Sequence, residues 1–160
     1  MKNTFLCDII LAMKIITENR EARHNYFLES PLQAGIVLVG CEVKSLRSNH
    51  ANLKDSYVLI RDGEAFLLNC YIATFDKTGA FIPDTKRTRK LLLNKQEILK
   101  LERKTKEQGY TIVPTKMYFN DDKVKVEIAL AKGKKNYDKK DDKMKADLKR
   151  YAERQIKSIK

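Results

Sequence analysis

The sequence predicts a mainly β fold: an OB-like closed antiparallel barrel with attached helices and a basic C-terminal arm that is disordered when free. Three observations carry this reading. Two pairs of alternating segments flank tight turns, one well-marked helix lies between them, and the C-terminus is rich in lysine but poor in large apolar groups. Short strands around a single helix suit a closed barrel, a shape that removes sheet edges and often binds nucleic acid. Fold alone assigns no function.

The N-terminal residues 1–16 read as an extension. Phe5 to Ile16 is fairly apolar with Lys2 ahead of it, but Asp8 and Lys14 interrupt the run, and no small-residue cleavage site follows. The stretch is too short to span a bilayer, so neither a signal peptide nor an anchor is expected. Met13 stands just before the first well-patterned segment, which favours residues 1–12 as a misassigned start over an ordered extra strand.

From Arg23 onward the pattern is mainly β and forms one domain over residues 17–132. A weak helical turn is expected over Leu32 to Leu38, against the preference of β-branched Ile36 and Val37. Asp55 to Ile60 and Ala65 to Ile72 flank Asp62-Gly63, a pair that tolerates the positive φ angles of a tight hairpin. A second hairpin joins Tyr110–Phe119 to Lys123–Ala131 through Asn120-Asp121-Asp122. In its return strand Val124, Val126, Ile128 and Leu130 alternate with Lys123, Lys125, Glu127 and Ala129, giving one core face and one wet, partly basic face. Pro114 lacks an amide donor, so its strand must lie at an edge or carry a bulge there. Between the hairpins a helix is predicted from Asn94 to Gln108. Asn94 and Glu97 have capping-box spacing, Ile98 and Leu101 point inward, and Gly109 ends it.

Charge indicates the partner. The chain has 33 Lys+Arg against 21 Asp+Glu, a net +12 with pI about 9.6, which favours a polyanion over an acidic small molecule. Residues 133–160 hold 11 Lys/Arg and 5 Asp/Glu, so half of the excess lies in the last 28 residues. A solvating tail would have the same composition; a nucleic-acid-binding arm accounts for it equally well. Cys7, Cys41 and Cys70 are odd in number and lack Cys-x-x-Cys spacing, so neither a disulfide framework nor a zinc site is expected, and a reducing cytoplasm fits.

The sequence holds little catalytic chemistry. Gly35 and Gly40 are too far apart for a phosphate loop, and Lys132-Gly133-Lys134-Lys135 has no Walker spacing. His24 and His50 are the right residue type for an acid and base pair in RNA cleavage, but nothing in the sequence brings them together, and surface or structural roles suffice. Asp84-Thr85-Lys86-Arg87-Thr88-Arg89-Lys90 places cations and hydroxyls before Leu91-Leu92-Leu93-Asn94. Guanidinium forks and hydroxyls suit phosphate, and leucines suit exposed bases. The same segment also reads as a charged loop leading into a capped helix with its leucines in the core.

Several blocks in one order carry a resemblance. They are Asn19, Ala22-Arg23-His24, Tyr26-Phe27, Ala34-Gly35, Glu42-Val43-Lys44-Ser45-Leu46-Arg47, Asp55-Ser56-Tyr57, Thr88-Arg89-Lys90-Leu91-Leu92-Leu93, Gly109-Tyr110-Thr111 and Ala131-Lys132-Gly133-Lys134-Lys135. From about residue 19 to the tail the chain resembles the SsrA-binding (small protein B) family. The resemblance implies a non-enzymatic monomer in the cytoplasm, without cofactor, metal or membrane partner. It implies binding to the tRNA-like part of transfer-messenger RNA, support of its charging with alanine, and delivery to stalled ribosomes. Alanyl-tRNA synthetase and elongation factor Tu would be met through the RNA.

By position in the matching blocks, Leu92, Asn94 and Lys125 are the implied RNA contacts, with Gln33, Lys44, Arg47, Arg89 and Lys90 as further candidates. Gln33 departs from the family, which usually has Glu there; an amide still donates and accepts hydrogen bonds. The tail, residues 133–160, resembles the family's arm, which becomes helical in the vacant messenger channel and decoding region of the small subunit. Lys134, Lys135, Tyr137, Asp138, Lys139 and Lys140 are its implied ribosome contacts; Lys140 keeps charge where Arg is frequent but loses the planar fork. Met144, Leu148, Tyr151 and Ile159 recur at near-helical spacing, and Glu153 with Lys157 makes an i,i+4 pair.

Overall fold

The computed structural model describes residues 13–75 and 82–158. The expectations for residues 1–12, and Ile159 of the tail pattern, lie outside the described residues. The strands are β1 (Met13–Glu18), β2 (Tyr26–Ile36), β3 (Ala51–Asn52), β4 (Tyr57–Arg61), β5 (Glu64–Leu68), β6 (Tyr71–Ile72), β7 (Arg89–Leu92), β8 (Thr111–Asn120) and β9 (Lys123–Gly133). The helices are α1 (Arg20–Asn25), α2 (Gly40–Arg47), α3 (Lys95–Gln108) and α4 (Asn136–Ser158).

The main sheet runs β1-β8-β4-β5-β7-β2-β9, and β8 also pairs with β9, so the sheet bends into a partly closed ring with helices attached. The link between β4 and β8 is narrow, the pair Val58↔Ile112. Inside the ring Leu67, Leu91, Met117, Val126 and Ile128 are buried together, with Leu46 from α2 and Leu101 from α3 sealing it.

Both predicted hairpins form for the stated reasons. Asp62 and Gly63 have φ of 52° and 72°, the left-handed pair that a two-residue turn demands. Val124, Val126, Ile128 and Leu130 are buried, while Lys123 is exposed and Lys125 half-buried. Ala129 departs from the expected wet face: it lies across from Val113, which packs with Ala22 of α1, so the helix covers the sheet there. The β8–β9 register slips between Pro114 and Lys116, the bulge that a missing amide donor requires. Helix α3 starts after Asn94, whose N–H donates to Glu97 Oε2 at 2.9 Å, and ends on Gly109 at φ 65°.

Two expectations need correction. The helical turn over Leu32–Leu38 is instead strand β2, because its backbone pairs with β9 on one side and β7 on the other, an arrangement that also suits Ile36. The boundary at residues 16 and 17 falls inside β1, which pairs with β8 from Met13↔Asn120 onward and buries Ile16. The arm takes the helical form that the resemblance implies for it, α4, in which residues 136–158 alternate charge in a way that supports helical turns while Met144, Leu148 and Tyr151 stay exposed. Helices α1 and α2 went unforeseen. Buried Asn19 holds α1: its Oδ1 accepts from Ala22 N–H at 3.1 Å, and its amide donates to the Leu53 and Pro114 carbonyls, both at 3.1 Å.

No helix among the described residues is long and apolar enough to cross a membrane.

Candidate nucleic-acid interface

An open groove of about 750 Å³ runs between the outer face of the ring and the start of α3. Its floor comes from sheet register. Lys125 of β9, Gly35 of β2 and Leu92 of β7 stand side by side, since Gly35 pairs with both neighbours. Gln33 lies two residues along the same face of β2, Asn94 and Lys95 form the rim where β7 turns into α3, and Lys90 completes the other side. Leu92 is 55% exposed despite its size. The groove thus pairs an uncovered apolar floor with Lys125, Lys95 and Lys90 and the Asn94 and Gln33 amides. That combination suits a ligand with phosphates and flat apolar faces.

Five expected residues therefore meet in one place: Gln33, Lys90, Leu92, Asn94 and Lys125. Lys90 is shared with Glu64, which pairs with its ammonium. Gln33 pairs across the strands with Glu127, whose carboxylate already accepts from Thr115 Oγ1 at 2.7 Å and binds Lys116 Nζ at 3.1 Å. An amide at this position avoids setting a second carboxylate directly opposite the first. Lys95 and Leu99 of α3 also line the groove and were missed; Leu99 is 52% exposed, one residue beyond the inward-facing Ile98.

Arg89 is a correction. It is fully buried, with Nε donating to Glu42 Oε1 at 2.9 Å, Nη1 to the Cys70 and Arg87 carbonyls at 2.7 and 3.1 Å, and Nη2 to the Thr85 carbonyl at 3.0 Å. Arg87 donates to the same carboxylate at 2.9 and 2.7 Å. Burial pushes the Glu42 carboxyl up, but the bonds from Arg87, the Val39 N–H and Arg89 outweigh it and hold the group below its ordinary range. These guanidiniums tie α2 to the start of β7 and the segment before it, and the fully buried Arg89 is turned to internal acceptors and away from any phosphate. Burial also pushes the Cys70 thiol up to about 11, so it stays protonated and inert. Lys44 and Arg47 are exposed on α2 but do not line the groove; Lys44 Nζ lies 5.8 Å from the Phe75 ring centre.

A sequence profile described as SmpB protein matches residues 16–158, nearly the whole chain and every groove residue. The chain belongs to the SmpB protein family. Among curated relatives it is 51% identical over 144 residues to the SsrA-binding protein of Clostridium tetani, covering 90% of this chain and 92% of that one. It is 56% identical over 128 residues to the SsrA-binding protein of Symbiobacterium thermophilum, covering 79% and 81%. A chain in the solved structure described as "tmRNA-SmpB: a journey to the center of the bacterial ribosome" matches with TM-score 0.64 at 45% identity, over 75% of this chain and 85% of that one.

In this SmpB family member the arm leaves the ring through a fixed joint. Lys134 is nearly buried: its amide donates to the Asn25 carbonyl at 2.9 Å, and its ammonium donates to the Arg23 carbonyl at 3.3 Å. The ammonium also pairs with Asp142 and sits 5.0 Å from the Phe27 ring centre. The Lys134 bonds hold the Asp142 carboxyl below its ordinary range. Asp138 accepts from Lys135 N–H at 3.1 Å and so starts the helix. Lys134 and Asp138, expected as ribosome contacts, thus serve first to build the joint. Lys140 is exposed and Lys139 partly so; Tyr137 lies in the first turn, its side chain outside what the structure describes.

Proposed function

We propose that this chain binds the tRNA-like domain of transfer-messenger RNA in the groove, supports its alanylation and brings it to stalled ribosomes for trans-translation. The observation that carries the reading is the row Lys125, Gly35, Leu92 with Asn94 at its rim, found in a member of the SmpB family. Among the described residues none that lines the groove is aromatic, which disfavours a general single-strand binder built on stacked bases.

In this proposal the ring is an OB-like barrel and the protein a cytoplasmic, non-enzymatic monomer. Contacts with elongation factor Tu and alanyl-tRNA synthetase run through the RNA. The basic arm fills the vacant messenger channel near the decoding region, with Tyr137, Lys139 and Lys140 close to ribosomal RNA. Its apolar groups are few, so in the free protein α4 frays beyond the Lys134–Asp142 joint and becomes firm on the ribosome. The test is a reconstituted tagging assay beside a gel shift with the tRNA-like domain. The proposal requires Leu92→Ala and Lys125→Ala to weaken the shift and to slow tagging in proportion. Full affinity in both variants would remove the groove from the account.

A further inference from the structure

Gly35 sits one residue before the end of β2, paired on both sides, and its φ is not in the left-handed region. The backbone there suits any residue, and glycine in a strand interior costs stability relative to alanine. Something other than backbone geometry must therefore favour the missing side chain. A Cβ built at Gly35 would lie 3.2 Å from Leu92 Cβ, 3.4 Å from Cδ1 and 3.6 Å from Cγ. These three nearest atoms all belong to Leu92, so the space over Gly35 is bounded first by that side chain, at the floor of the groove.

We infer that Gly35 is a positioning residue for RNA binding: its bare backbone lets the Leu92 side chain lie against β2 beside Lys125, in the pose that presents an apolar surface to a base. A methyl group at 35 would crowd Leu92 at its Cβ and stand in ordinary contact with the rest of the side chain. Rotation of the isobutyl group leaves Cβ in place, so the half-exposed Leu92 must give by a few tenths of an ångström and carry its side chain with it. The ring would keep its fold while the groove floor changed shape. This inference rests on the groove being the RNA site.

The experiment compares Gly35→Ala, Leu92→Ala and the double variant in gel shifts with the tRNA-like domain of transfer-messenger RNA, across a salt series, beside thermal melts. Gly35→Ala is expected to lose about tenfold in affinity, the order of one base contact. Its salt slope should match that of the unaltered protein, since no phosphate contact is touched. Its melting temperature should hold or rise. In the Leu92→Ala background the second substitution should have little further effect, because the group it displaces is gone. Unchanged affinity in Gly35→Ala would overturn the inference. So would equal losses in both backgrounds, which would make Gly35 a direct contact, or loss of the fold, which would make it a packing residue. If Leu92→Ala itself binds normally, the groove assignment fails first, and the two failures are told apart.

Discussion

Residues 1–132 and the arm, residues 133–160, carry the same excess of six positive charges, in very different lengths of chain. In the body, some cations are committed to carboxylates, Arg87 and Arg89 to Glu42, Lys90 to Glu64, Lys116 to Glu127 and Lys54 to Glu21, while others such as Lys44, Arg47, Lys95 and Lys123 are exposed. In the arm, Lys134 and Arg150 have carboxylate partners among the described residues, and the helix that follows Lys134 is largely exposed. Equal charge therefore does different things. The body holds Arg89 wholly inside the fold and sets other cations at the groove, whereas the arm carries its cations along an exposed helix. A count of charge in sequence cannot separate these uses; burial does.

The largest expected effect tests the architectural half. Glu42→Ala strands two guanidiniums, one of them fully buried, and should cost about 3–5 kcal/mol of stability in thermal or denaturant melts. The same carboxyl sets an acid limit. Its folded pKa lies below the ordinary value of 4.5, so its stabilisation is complete above that value and is lost as pH falls through the folded pKa. Melts of the unaltered protein should weaken as pH drops below about 4.5, and Glu42→Gln should lack that component. If Glu42→Ala melts normally, the guanidiniums are not structural.

Next comes the arm. Because β9 runs to Gly133 and Lys134 bonds back to Asn25 and Arg23, the cut belongs after Lys135, where the ring keeps these bonds. That truncation should leave the melting temperature within a degree or two, on the order of a loss of few buried contacts. It should lower RNA affinity modestly, through long-range attraction that salt screens. Tagging on stalled ribosomes should fail. Normal tagging would make the arm a solubility tail.

This division shows what the sequence made legible. The hairpins, the bulge at Pro114 and helix α3 were readable because local chemistry decides them: positive φ at Asp62-Gly63, a missing amide, a capping pair and a terminal glycine. Strand β2 and helices α1 and α2 were not, because they depend on distant partners: β7 and β9 for the strand, Pro114 for α1, and Arg87 and Arg89 for α2. Within the groove, Leu92, Asn94 and Lys125 came through resemblance. Arg89 looked like a phosphate ligand because a fork of donors reads alike whether it meets a phosphate or four internal acceptors. Leu99 carried no signal, since an apolar residue beside the buried Ile98 reads as core.

Smaller effects sharpen the comparison inside the groove. Lys125→Ala should reduce the slope of log affinity against log salt by about one, the signature of one phosphate contact. Lys90→Ala, whose ammonium is shared with Glu64, should reduce it by less. Asn94→Ala should leave the slope unchanged and cost about 1 kcal/mol of binding, the order of one hydrogen bond. Equal slope changes for Lys90 and Lys125 would show that the Glu64 pair opens when RNA arrives.

The most direct test of the central claim is to sequence the RNA that copurifies with the full chain and with Lys125→Ala from the same cells. The account predicts that transfer-messenger RNA dominates the first sample and is depleted in the second. A ribosomal or random profile with the full chain would contradict it.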